Sequence, residues 1–274
     1  MRRLQGVAVA GALALIATRA PAQAFNGGIP AGWTCIGSCG TSGANGVVTL
    51  APGGGTQYGW VSTNNGTFTG GLGPGIGATA DQPGPATNGT VLRSPTFAAN
   101  SGDLLHFFFN YVTTDGAGFA DYAWARVLDP EFNEVALLFT ARTVASGSIV
   151  PGQGMPVPAA TLNPASVTII AGGPEWAPLG DDSGACFDVG CGYTGWVSSD
   201  FTMLSGGTFI LEFGVTNWND EAFQSGLAID GIQIAGIDIG QPPVTTVPEP
   251  ATMTLFATGL LGLGGAIRRR RQSA

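Results

Sequence analysis

The sequence predicts an all-β protein, an antiparallel β-sandwich of jelly-roll-like type, on three observations. Apolar residues alternate with polar ones in short runs, and no long stretch between the two termini repeats them with a helical period. Glycine (45) and proline (18) punctuate the chain of 274 residues so densely that helices of ordinary length have little room. Only 10% of residues are charged against 44% hydrophobic, the balance of a turn-rich extracellular sheet protein rather than a helical enzyme.

Taken in order, the first candidate strands are Val47 to Leu50 and Tyr58 to Val61, set among Gly-, Thr-, Asn- and Pro-rich loops that run from Ala51 to Asn88. Val91 to Ser94 follows. Leu104 to Val112 is the clearest strand, with Leu105, Phe107, Phe109 and Tyr111 on one face and His106, Phe108 and Asn110 on the other. The turn signal at Asp115-Gly116-Ala117-Gly118 leads into Phe119 to Leu128, and Asp129-Pro130 separates that run from Val135 to Arg142. These three runs read as a three-strand meander. Val167 to Ile170, Gly195 to Met203, Thr208 to Val215 and Leu227 to Ile234 complete the set. Tyr58-Gly59-Trp60-Val61-Ser62-Thr63 is echoed by Tyr193-Thr194-Gly195-Trp196-Val197-Ser198-Ser199, as if they were equivalent strands of two sheets.

Both termini carry targeting signals. Met1-Arg2-Arg3 precedes an apolar stretch from Gly6 to Ala17, too short to span a bilayer, and Ala22-Gln23-Ala24 forms an A-x-A cleavage site. Residues 1–24 therefore read as a signal peptide, with Phe25 as the mature N-terminus. At the other end Pro248, Glu249 and Pro250 close a proline-rich linker over 241–250. A transmembrane helix over 251–267, about 25 Å long and slightly short of the hydrocarbon core, is expected to follow, and Arg268, Arg269, Arg270 and Arg271 head a basic cytoplasmic tail over 268–274. Arginines stay on the cytoplasmic side of a membrane, so the body of the chain, 25–240, is expected outside the cytoplasm.

This order of Pro-Glu-Pro motif, Gly- and Leu-rich helix with Gly259-Leu260-Leu261-Gly262-Leu263-Gly264, and arginine cluster resembles the PEP-CTERM sorting signal of exosortase-processed bacterial proteins. The resemblance implies export, an inner-membrane intermediate, cleavage near the motif by an exosortase-type enzyme, and release or attachment at the cell envelope surface or extracellular matrix. It also implies polysaccharide as a partner, since such signals often accompany exopolysaccharide production. Within the body of the chain, Leu227 to Ile234 resembles the closing strand of carbohydrate-binding-module-like jelly rolls.

Charge narrows the partners further. All ten basic residues are arginines, and only Arg93, Arg126 and Arg142 fall within 25–240, against 17 carboxylates, for a formal charge of −14. Such a surface repels nucleic acid and suits cations, neutral glycans or basic partners. The four cysteines form two local pairs, Cys35 with Cys39 and Cys186 with Cys191. Of the three pairings four cysteines allow, an exported chain favours these two short loops; the alternatives are crossed disulfides or a zinc site of four thiolates.

Catalytic chemistry finds little footing. His106 is the single histidine, and no nucleophile elbow, metalloprotease helix or phosphate-binding loop is present. Glu212 and Glu221 are the remaining candidates for a glycosidase-like carboxylate pair. No catalytic residue and no cofactor are assigned. Structural calcium is the one ion considered, through three acidic loops: Asp115 with Asp121, Asp181-Asp182 with Asp188, and Asp220-Glu221. For glycans the candidate platform is Trp218 flanked by Asn217 and Asn219, a tryptophan that is either a sugar platform or a lid of the core. The expectation is thus a non-catalytic exported surface or matrix protein, the alternative being a carbohydrate-binding module with a defined glycan site.

Overall fold

The computed structural model describes residues 24–239 apart from Gly54. The linker, the apolar helix, the arginine tail and all of the signal peptide but Ala24 lie outside the described residues. Along the chain the strands are β1 (Thr34–Ile36), β2 (Ser38–Ser42), β3 (Tyr58–Ser62), β4 (Ala86–Arg93), β5 (Phe97–Ala99), β6 (Leu104–Thr113), β7 (Tyr122–Leu128), β8 (Glu134–Arg142) and β9 (Ser148–Val150). They continue as β10 (Thr161–Asn163), β11 (Val167–Thr168), β12 (Ile170–Ala171), β13 (Gly192–Tyr193), β14 (Val197–Thr202), β15 (Gly207–Trp218), β16 (Ser225–Ile234) and β17 (Ile237–Asp238). The one helical element among the described residues is a 3-10 segment, Ala177–Asp182. It is far too short to cross a membrane, and no described helix is long and apolar enough to do so.

Antiparallel pairing gathers these strands into two main sheets. One has the order β1-β4-β15-β7-β8, with β5 also on β15; the other has the order β10-β14-β6-β16-β3-β2, extended by β12, β13 and β17. β9 and β11 form a separate two-stranded ribbon. The all-β antiparallel expectation holds.

The alternation read in Leu104–Thr113 places the core. Leu105, Phe107, Phe109 and Tyr111 are fully buried, whereas His106 and Phe108 are half-buried on the opposite face. From β6 at the centre of one sheet, Phe107 meets Phe213 of β15 edge-on at 5.1 Å and Phe109 stacks on Phe139 of β8 at 3.7 Å. These contacts span the two sheets, so the inner faces interdigitate as a sandwich; each buried aromatic contributes on the order of 2 kcal/mol of apolar transfer. Phe25, the first residue after the expected cleavage site, is fully buried and packs against Trp33 at 5.7 Å.

The outer face of the β15 sheet is also dry. Val91, Tyr122, Trp124, Leu137 and Trp218 form a second cluster, covered by Phe68 and Leu72 from the Gly-rich segment before β4. Gly214 permits this, because a Cβ there would stand 2.1 Å from the Trp124 indole.

Three local expectations are corrected. Leu104–Thr113, Tyr122–Leu128 and Glu134–Arg142 are strands, but they do not form a meander: β7 pairs with β8 and β15, and β6 with β13, β14 and β16. The Asp115 segment is therefore a crossover between sheets, since both β6 and β7 bury apolar faces and each needs a sheet of its own around it. Val47 to Leu50 makes only an isolated bridge, Asn45 with Val48. The two Trp-containing echoes lie in the same sheet, in β3 and around β14, not in opposite sheets.

Both disulfides close the local pairs, Cys35–Cys39 and Cys186–Cys191, and no free cysteine remains for zinc.

Candidate functional site

The crossover after β6 is where chemistry collects. Asp115 takes a backbone turn in which its N–H donates to Thr113 Oγ1 at 3.1 Å and its Oδ1 accepts from the Gly116 N–H at 2.6 Å. Asp121 stands just before β7, where Oδ1 accepts from the Trp218 N–H at 2.8 Å and Oδ2 from the Ser225 hydroxyl at 2.6 Å. Tyr111 adds a hydroxyl that donates to the Asp121 carbonyl at 3.1 Å. Asp182, at the end of the 3-10 segment, accepts from the Gln224 N–H at 3.1 Å, and Asp220 caps the turn after β15 by accepting from Ala222 at 3.1 Å.

The disulfide loop lies over this crossover. Phe187 donates to the Thr114 carbonyl and Ala117 to the Val189 carbonyl, both at 2.9 Å. Gly116 allows the approach: a Cβ there would lie 2.6 Å from the Asp188 Cβ. Phe187 also packs on Phe119 and Phe223.

Carboxylates from three segments thus bear on the two buried ones, Asp220 on both, Asp182 on Asp115 and Asp115 on Asp121, and none of the ion pairs among the described residues involves them. Asp115 and Asp121 are 1% and 0% exposed. Burial pushes the Asp115 carboxyl up to about 7, the Gly116 N–H opposing it and the charges of Asp220 and Asp182 adding to it. Burial and then the Asp115 charge hold Asp121 well above the ordinary carboxylate range. The three described arginines are committed elsewhere. Arg93 and Arg126 each place Nε 2.7 Å from Glu212, and Arg142 donates to the Gly77 carbonyl at 2.6 Å.

Of the two readings of Trp218, platform or lid, the structure gives the lid. Trp218 is 2% exposed, packs on Tyr122 at 5.8 Å and donates its indole N–H to the Gln82 carbonyl at 3.4 Å, so it is a lid of the outer cluster and offers no open ring face. Asn217 is fully buried, and only Asn219 reaches the surface. The indole edge does border a surface cavity of about 520 Å³, lined also by Thr69, Gly70, Pro74, Pro83 and Pro85.

The carboxylate pair suggested for glycosidase chemistry is not assembled as a free pair. Glu212 is fully buried and accepts from Arg93, Arg126 and the Trp124 indole N–H at 3.0 Å. His106 Nδ1 pairs with Asp200 at 2.8 Å on the outer face of its sheet, edge-on to Phe108.

Of the three acidic loops read from the sequence, Asp115 with Asp121, Asp181-Asp182 with Asp188, and Asp220-Glu221, the fold brings the charges of Asp182 and Asp220 to bear on the buried carboxyls of the first. Sequence reading missed Asn217 as a member of this neighbourhood and missed Asp230, buried on β16 with neither carboxylate oxygen hydrogen-bonded. The Asp-Gly step at Asp230-Gly231 is the signal that marked it, because Gly231 has φ 63° and breaks the pairing register with β6.

Residues 246–271 match the PEP-CTERM protein-sorting motif. The motif identifies an exported protein that transits the membrane to the cell surface, and it implies processing by an exosortase. A search of curated proteins gives no significant match. Among solved structures, the chain is similar to the K1 cleaved adhesin domain of Lys-gingipain from Porphyromonas gingivalis W83, at 14% identity and TM-score 0.35, over 76% of this chain and 94% of that one. The enzymatically active domain of bacteriophage CBA120 tailspike protein 4 aligns at 12% identity and TM-score 0.32, over 74% of this chain and 20% of that one. An exo-β-agarase aligns at 10% identity and TM-score 0.30, over 80% and 24%. The fold described above rests on its own strand pairing and not on these likenesses.

Proposed function

We propose that the chain is a non-catalytic protein of the cell surface or extracellular matrix, whose sandwich associates with exopolysaccharide after exosortase processing. The sorting motif over 246–271 carries this reading. A body with three arginines against 17 carboxylates supports it, because two of those arginines are spent on one structural glutamate and the surface left is acidic. Glu212, fully buried and held by two guanidiniums and an indole, is paired as a structural carboxylate, which speaks against acid–base work. With Trp218 turned into the outer cluster, the reading of a defined glycan site loses the platform it was built on.

Mass spectrometry of the protein from its native cells tests the sorting. The expected product begins at Phe25 and ends near Pro248-Glu249-Pro250; a mature protein that retains Arg268 to Arg271 would overturn it. Co-sedimentation with the cells' own exopolysaccharide tests the association, and turnover of that polysaccharide abolished by Glu212→Gln would replace it with an enzyme.

A further inference from the structure

Three phenylalanines belong to none of the buried clusters of the sandwich, and the fold gathers them at its crossover end. The Phe187 ring lies 5.7 Å from that of Phe119, edge-on, and 4.8 Å from that of Phe223. Phe187 is 48% exposed and Val189, in the same loop, 55%, whereas Phe119 and Phe223 are half-buried. The patch joins three segments: the β6–β7 crossover, the Cys186–Cys191 loop and the turn between β15 and β16. An exposed apolar patch drawn from separate segments, and outside the core, marks an interaction surface.

Its shape is set in advance. The disulfide closes the loop that carries Phe187 and Val189, and the backbone bonds of that loop to Thr114 and Ala117 hold it down on the crossover. Phe223 has φ 53°, a left-handed conformation that a bulky side chain adopts only where its surroundings impose it. Rings fixed in this way lose little freedom when a partner covers them. Ser225 faces Thr113 at this end of β16 and Ile234 faces Leu105 at the other, about 30 Å away, so the chain leads on toward the sorting motif from the opposite end.

Charge selects the occupant. Asp188 adjoins Phe187 and lies against Gly116 of the crossover, Glu221 precedes Phe223 by two residues, and Asp182 accepts from the backbone N–H of Gln224, next to Phe223, at 3.1 Å. Asp188 and Glu221 are exposed, and all three described arginines are committed elsewhere, two to Glu212 and one to Gly77. Aromatic faces and carboxylates both attract cations, and a body with 17 carboxylates against three arginines draws a cationic polymer in and turns an acidic one away. We infer that this surface takes a polysaccharide bearing free amino groups, an assignment that rests on the association with exopolysaccharide proposed above and specifies its chemistry. The charged amines pair with Asp188 and Glu221 while the apolar face of a sugar ring lies on Phe187.

The test titrates the purified full-length chain by calorimetry with short glucosamine oligomers whose amines are free and charged, with N-acetylglucosamine oligomers of the same length, and with a polyuronate. The glucosamine oligomers should saturate, the N-acetylated ones should bind at least about tenfold more weakly, and the polyuronate should not bind. Phe187→Ala should weaken the glucosamine oligomer about five- to tenfold, yet leave the urea midpoint near that of the native chain, since the ring stands half in water. Glu221→Gln should weaken it by a smaller factor, and Phe132→Ala, an exposed ring outside the patch, should bind as the native chain does. N-acetylated oligomers binding as tightly as the free amines, or Phe187→Ala binding as tightly as the native chain, would overturn the assignment. Co-sedimentation with the cells' own exopolysaccharide separates it from the reading beneath: native chain and Phe187→Ala sedimenting alike overturns this surface and leaves the association standing, whereas a native chain that stays in solution overturns the association itself.

Discussion

Asp230 gives the sharpest test of the electrostatics. It stands on β16, 1% exposed, and neither carboxylate oxygen has a hydrogen-bond partner. Burial pushes its carboxyl up to about 6; the Gly231 N–H is close enough to oppose this without forming a full hydrogen bond, and the charge of Asp238 adds to it. The value in the unfolded chain is the ordinary 3.8, so the folded state binds this proton more tightly. The stabilisation is complete below pH 4 and is lost as pH rises through 6, the direction opposite to a salt-bridged aspartate. A difference of about two units corresponds to about 3 kcal/mol. Asp230→Asn removes the charge with little change of shape, so in urea unfolding with excess chelator the variant should match the native chain near pH 4. It should exceed the native chain by up to about 3 kcal/mol at pH 8, less the cost of its own unpaired amide. Asp115 and Asp121 titrate in the same direction and contribute to both proteins, so the difference between the two curves isolates Asp230. A variant curve parallel to the native one from pH 4 to 8, or a variant less stable at pH 8, would refute the reasoning.

Two further substitutions test the packing. Glu212→Gln leaves the Arg93 and Arg126 guanidiniums facing each other over a neutral amide, and should cost about 3 kcal/mol by urea unfolding, at the low end for a broken buried pair because both arginines are partly solvated; a change under about 0.5 kcal/mol would mean the clamp carries no weight. Trp218→Ala empties the centre of the outer cluster and should cost about 3–5 kcal/mol, whereas an open sugar platform would lose binding with little loss of stability.

Some of this protein is legible residue by residue. The alternation of Leu105, Phe107, Phe109 and Tyr111 needs only neighbours two positions apart to declare a strand and its buried face, and that strand is central in the structure. The disulfides are four and five residues apart, so short-range geometry and an oxidising destination suffice to pair them. Strand pairing is another matter. The Asp115-Gly116-Ala117-Gly118 segment has a hairpin's composition, yet the chain crosses to the other sheet there, because partners for β6 and β7 are chosen by apolar faces more than 70 residues downstream, around Val197 and Phe213.

The sequence alone determined the destination of the chain and the class of its fold, since sorting signals and strand alternation are local patterns read over a few residues. Only the tertiary structure decided that Trp218 is a lid, that Glu212 is neutralised by arginines 119 and 86 residues away, and that Asp115, Asp121, Asp182 and Asp220 share one end of the sandwich. Burial and charge proximity depend on which distant segments the packing of two sheets brings together, and spacing along a chain does not record that.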